Sequence, residues 1–155
     1  MVLLYRISKA KYATDLSGEG ARLFGGRWNL KGTPVIYTSD STALATLETL
    51  VHFSLELVPQ DFSIVTLNLP DELSTYELNF QDLPNKWWVN PAPSKLARVG
   101  QKWFEKNLEI ALVVPSFVIP ASEGRNYILN PKHPDFSKIE IVSVTKYIYD
   151  SRFFS

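Results

Sequence analysis

Val35-Ile36-Tyr37-Thr38-Ser39-Asp40-Ser41-Thr42-Ala43-Leu44-Ala45-Thr46-Leu47-Glu48-Thr49-Leu50-Val51-His52 passes from one kind of element into another. Its first four residues are β-branched or aromatic and make a short strand. Ser39, Asp40 and Ser41 follow, residues whose side-chain oxygens cap helix N-termini. From about Thr42 to Leu57 the apolar positions Leu44, Leu47, Val51 and Leu55 recur at helical spacing. On a helical wheel Leu47, Val51 and Leu55 fall within about 60° of Leu44, and Glu48 falls about 40° from it. Glu48 is the one charged side chain between Thr42 and Leu55, and it shares the buried stripe. A bare ionised carboxylate is very costly to bury, so this one must be paired, hydrogen-bonded or neutralised. A structural ion pair, a stripe edge reaching solvent and a functional carboxylate each meet that demand.

Working outward, Val2–Ile7 reads as a strand, followed by a long polar loop holding Gly18, Gly20, Gly25, Gly26 and Gly32. Asp61–Leu69 alternates as a strand and closes at the Pro70-Asp71 turn. Leu83–Pro93 contains Pro84, Pro91 and Pro93 with the adjacent Trp87 and Trp88, and reads as a loop folded back onto the core. Ser94 caps a second helix reaching about Asn107, with Leu96, Val99, Trp103 and Phe104 inward and Lys95, Arg98, Lys102 and Lys106 toward water. Ala111–Pro115 and Phe117–Ile119 read as strand on either side of Ser116, and Lys138–Tyr149 as a long final strand. Strands outnumber helices without alternating regularly with them. That pattern indicates an α+β fold, mixed or antiparallel sheet with flanking helices, in one domain spanning 1–155.

Composition narrows the chemistry. The chain has 155 residues, 45% of them hydrophobic, which is enough for one real core. Sixteen Lys and Arg balance sixteen Asp and Glu. Nucleic-acid binding by counterion release needs a basic excess, so direct nucleic-acid contact is not expected. There are no cysteines and only two histidines, His52 and His133, which argues against disulfides, thiolate chemistry and a metal centre. No apolar run has membrane-spanning length, and the N-terminus lacks a signal pattern; a soluble cytoplasmic protein is expected. No Gly-x-Gly-x-x-Gly or Walker-type loop is present, so any nucleotide is held in another way.

Other residues stand out. In Gly25-Gly26-Arg27-Trp28-Asn29 two glycines precede a guanidinium, a group suited to phosphate or carboxylate; a packed Arg beside a core Trp is the plainer reading. Tyr37 ends a strand just before the helix of Glu48, and the hydroxyl of Ser116 inside Val113-Val114-Pro115-Ser116-Phe117-Val118 requires a partner. His52, four residues after Glu48, lies on the same helical side and could act with it as acid and base or merely satisfy it. His133, between Lys132 and Pro134, reads as a turn residue.

The runs Asp15–Asn29, Gly32–Ser39 and Ala43–His52, with Val114-Pro115-Ser116 and Asn126–Phe136 later, resemble in order the motifs of RES-domain proteins. The resemblance spans nearly the whole chain and implies an ADP-ribosyltransferase-like fold. It also implies the toxin of a toxin–antitoxin pair that degrades NAD+ by hydrolysis or phosphorolysis; some relatives are described as ADP-ribosylating a protein instead. The family's eponymous Arg, Glu and Ser map to Arg27, Glu48 and Ser116, and Tyr37 completes the expected catalytic set. Arg6, Trp28, Asn29, Ser39 and Asn126 are expected to bind substrate. NAD+ is a substrate rather than a resident cofactor, with inorganic phosphate as an optional co-substrate and no metal. The implied partner is an Xre-like helix-turn-helix antitoxin, with a homodimer left open.

Overall fold

The computed structural model describes residues 1–51, 60–89, 92–119 and 123–154. Seven strands form one sheet: β1 (Val2–Lys9), β2 (Ile36–Ser39), β3 (Phe62–Leu69), β4 (Thr75–Glu77), β5 (Ala111–Pro115), β6 (Arg125–Leu129) and β7 (Glu140–Tyr147), in the order β4-β5-β6-β2-β1-β3-β7. β4 and β5 are parallel; every other neighbouring pair is antiparallel. Among the described residues three α-helices flank it: α1 (Glu19–Phe24), α2 (Thr42–Leu50) and α3 (Ser94–Lys106). The expected α+β class is observed, a mixed sheet with flanking helices.

Sequence pattern explains most elements. In β3 the alternate residues Val65, Leu67 and Leu69 are buried, because successive strand side chains point to opposite faces. β5 is buried along its whole length, which is why Ala111–Pro115 reads as a continuous apolar run rather than an alternating one. α3 buries Leu96 and Trp103 while Lys95, Arg98, Lys102 and Lys106 are exposed, as its periodicity requires. One core gathers Leu4, Val65, Leu67 and Ile110; a second packs Trp28, Trp87, Leu96, Trp103 and Leu112 beneath α3. β7 ends one side of the sheet. Its register slips opposite Thr66 and Leu67 and it carries Lys146 opposite Ser63, two features that discourage edge-to-edge pairing.

Several expectations are corrected. α1 lies inside the stretch read as loop, between Gly18 (φ 74°) and Gly25 (φ 69°). Six residues are too few to show periodicity. β4 and β6 were not anticipated as strands; β4 is three residues long and draws its partner β5 from far along the chain. Phe117–Ile119 is a series of bends, because the Ser116 hydroxyl takes the Val118 N–H and turns the chain. Pro93, not Ser94, holds the N-cap position of α3, without a side-chain bond. Val51 is 55% exposed at the end of α2, off the buried stripe. Leu55 and His52 lie outside the described residues.

Candidate active site

β1 and β2 share a single registered pair, Tyr5 with Ser39, whereas β1 and β3 pair along all of β1. Past that one pair the strands exchange no further partners, and a cavity of about 610 Å³ occupies the opening. Arg6, Ile7 and Ser8 line one side and Ile36, Tyr37 and Thr38 the other; α1 and the Glu48 face of α2 close it. The volume falls within the roughly 300–1,000 Å³ of small-molecule sites.

Glu48 reaches this cavity from the last turn of α2. The helix starts where Ser41 accepts the Leu44 N–H, at 3.1 Å, so of the three candidate caps Ser41 performs the task. Glu48 Oε1 accepts two hydrogen bonds, from Ser116 Oγ at 2.5 Å and from Asn126 Nδ2 at 2.7 Å. Asn126 Oδ1 in turn accepts from Ser39 Oγ at 2.8 Å. Among the described residues, the unusual carboxylate of the apolar stripe is therefore satisfied by neutral donors and by no salt-bridged cation. Four separate segments supply the group: β2, α2, the turn after β5, and β6.

Tyr37 occupies a second small network. Its hydroxyl donates to Asn29 Oδ1 at 2.6 Å and accepts the Trp28 N–H at 3.1 Å. The ring keeps 36% of its surface exposed at the cavity wall while the hydroxyl end is enclosed, and burial pushes that hydroxyl well above its ordinary pKa. Gly26 makes the enclosure possible. A Cβ there would stand 2.6 Å from the Tyr37 hydroxyl and 2.9 Å from Asn29 Oδ1.

Trp28 and Asn29 do not line the cavity. The Trp28 indole is buried in the core under α3, and the Asn29 amide donates to the carbonyls of Ala21, Leu30 and Thr33. Both are occupied in holding the loop around Tyr37. His133 is in a turn, its Nδ1 accepting the Asp135 N–H.

The two cations differ. Arg6 lines the cavity and donates to the Asp15 carbonyl at 2.9 Å; burial lowers its pKa, opposed by the charge of Asp15. Arg27 donates to the carbonyls of Trp87 (2.9 Å) and Val89 (3.3 Å) and lies over the Phe117 ring, 3.7 Å from its centre. Burial lowers its pKa too, opposed first by Glu48 and then by Tyr37, so it shares their electrostatic environment without lining the cavity. The structure thus brings Arg6, Tyr37, Ser39, Glu48 and Asn126 together around one cavity, with Ser116 joined through Glu48. Sequence reasoning missed Tyr12, Leu23, Phe24 and Thr49 as lining residues. For Leu23 and Phe24 the available signal was an apolar pair between glycines in a polar stretch.

Tyr37 and Glu48 thus face the sheet opening, with Ser116 joined through Glu48 and Arg27 outside the cavity. The RES domain model matches residues 3–150. Toxin Res of Photorhabdus laumondii is 38% identical over 97% of this chain and 96% of its own. The Prs ADP-ribosylating toxin of a Sphingobium species is 39% identical over 90% and 87%. Among solved structures, that of the M. tuberculosis MbcT–MbcA toxin–antitoxin complex contains a similar fold, with TM-score 0.75 and 23% identity, covering 95% of this chain and 84% of that one. With a family match across nearly its whole length and relatives well above a third identical, this chain belongs to the RES domain family.

Proposed function

We propose that this protein is a toxin that cleaves the nicotinamide–ribose bond of NAD+, passing the ADP-ribosyl group to water or inorganic phosphate. The observation that carries the reading is a carboxylate anchored by neutral donors on the wall of a dinucleotide-sized opening. Breaking that bond develops positive charge on the ribose, as glycoside cleavage does. A fixed carboxylate in a partly dehydrated cavity stabilises such charge more than mobile water would. Glu48 serves that purpose, either toward the ribose directly or by orienting the acceptor. Arg6 holds the pyrophosphate from the cavity wall, and Arg27 adds positive potential and reaches substrate only on releasing the loop carbonyls. The Tyr37 ring packs on the nicotinamide end, its hydroxyl staying protonated. The electron pair of the broken C–N bond returns to the positively charged pyridinium nitrogen, so nicotinamide departs as a neutral molecule.

Incubating the purified protein with NAD+, with and without phosphate, tests this directly. Free ADP-ribose, or its 1″-phosphate when phosphate is added, is the expected product. The name of the Sphingobium relative favours a second reading, transfer of ADP-ribose to a protein, in which label appears on a polypeptide instead. If unchanged NAD+ is recovered and Glu48→Gln still inhibits growth, the protein is a non-catalytic nucleotide-binding or interaction module. In cells we expect an Xre-like helix-turn-helix antitoxin to neutralise it.

A further inference from the structure

We infer that Ser39 and Asn126 are positioning residues, a two-step relay that clamps one oxygen of Glu48 and leaves the other for the reaction. This rests on reading Glu48 as the catalytic carboxylate. Both residues were expected to bind substrate, yet their polar ends are turned to each other and to Glu48. An ionised carboxylate accepts only, so the Asn126 amide must present Nδ2 to it. That choice leaves Oδ1 facing Ser39, whose rotatable hydroxyl donates. Ser39 is 4% exposed, and an unpartnered hydroxyl at that depth would be costly.

The strand register makes the relay stiff. Asn126 pairs with Ser39 on one side and with Val114 on the other, and Ser39 pairs with Tyr5 on its far side. Both side chains therefore rise from positions paired on both sides. Glu48, by contrast, sits two residues before the end of a nine-residue helix, where fraying is easiest. The relay ties that end to the middle of the sheet. Both donors fall on Oε1, and among the described residues Oε2 has no hydrogen-bond partner. One oxygen is thus fixed from two directions, setting the carboxylate plane, and the second is free for a ribose hydroxyl or the cationic centre.

The test is a double-mutant cycle on the full chain, with NAD+ as the probe. Because small misplacements of a reacting group are expensive, Asn126→Ala should lower kcat about 10- to 100-fold with KM changed less than about threefold. Ser39→Ala should lower kcat less, and the double variant no further than Asn126→Ala, since Ser39 acts through Asn126. A raised KM at constant kcat would make Asn126 a direct substrate ligand, and additive losses would break the relay; either overturns the proposal. Should Asn126→Ala fail to fold, Asn126→Asp keeps the shape without the donor and must show the same kcat loss. The Asn126 side-chain amide signals, read by ¹⁵N NMR without substrate, must move on Ser39→Ala and on Glu48→Gln; stationary signals also overturn it. If wild type consumes no NAD+, the substrate reading fails separately, and the cycle is scored by growth inhibition on expression. Non-additive loss there supports the relay, and full toxicity of both single variants refutes it.

Discussion

Gly100→Ala in α3 sets two physical expectations against each other. By helix propensity alone, Ala at an interior position is better than Gly by about 1 kcal/mol. The tertiary structure reverses the sign. A Cβ on Gly100 would lie 1.7 Å from the carbonyl oxygen of Trp28 and 2.8 Å from its carbon, both backbone atoms. Even a close carbon–oxygen contact needs roughly 3.3 Å, so helix and loop must part by about 1.5 Å. A gap of that size forfeits much of the dispersion contact around Trp28, Leu96 and Trp103, all of them buried. Overpacking of this kind costs about 1–3 kcal/mol, occasionally more, and with the lost contacts we expect a net destabilisation of roughly 2–4 kcal/mol. For a chain of this length that is a fall in melting temperature of about 5–15 °C. Gly20→Ala is the control, since nothing lies within 4 Å of its Cβ, and it should be neutral or slightly stabilising. Moving Trp28 also disturbs the N–H that holds the Tyr37 hydroxyl, so activity should fall with stability. Thermal unfolding of both variants decides the matter. A Gly100→Ala protein as stable as wild type would refute the close packing of α3 on the Trp28 backbone.

Further outcomes follow from the site. Glu48→Gln keeps an acceptor for Ser116 and Asn126 but removes the charge, so turnover of NAD+ should fall at least ~100-fold while the melting temperature shifts little; turnover within a few fold of wild type would remove the proposed role. Arg27→Ala should weaken NAD+ binding more than about tenfold and cost about 1–3 kcal/mol of stability through the lost carbonyl bonds; calorimetric binding and denaturant titration separate the two, and unchanged affinity would leave Arg27 a purely structural clamp. Burial raises the Tyr37 hydroxyl well above its ordinary value and Tyr149 to about 12, so above the ordinary value of about 10 the folded state keeps protons that the unfolded chain has lost. That stability is fully present below about pH 10 and decreases as pH climbs past it. Denaturation midpoints from pH 9 to 11 should fall, and Tyr37→Phe should flatten the decline; a wild-type midpoint constant across that range would contradict the burial.

How much could be read in advance depends on how local each feature is. α3 and β3 were legible because amphipathic periodicity is written in consecutive residues. Glu48 was legible as a charge among leucines, and its helix start as a cluster of capping residues. β4 and β6 were not, because a strand of three or five residues owes its existence to the neighbour it pairs with. Trp28 and Asn29 looked like candidates for substrate contact because the motif places them beside Arg27. Only packing shows the indole under α3 and the amide spent on three carbonyls.

By itself the sequence determined the class of fold, the carboxylate that needs explaining, the family, and the aromatic and cationic groups around it. These rest on residue identity and short-range spacing. Which oxygen of Glu48 is held, and that Ser116 and Asn126 hold it, was decided by tertiary structure. So was the cavity, which exists because β1 and β2 pair at Tyr5 and Ser39 and then part. Strand register and the angle at which two strands separate are set by contacts between segments far apart in the chain, and no local pattern encodes them.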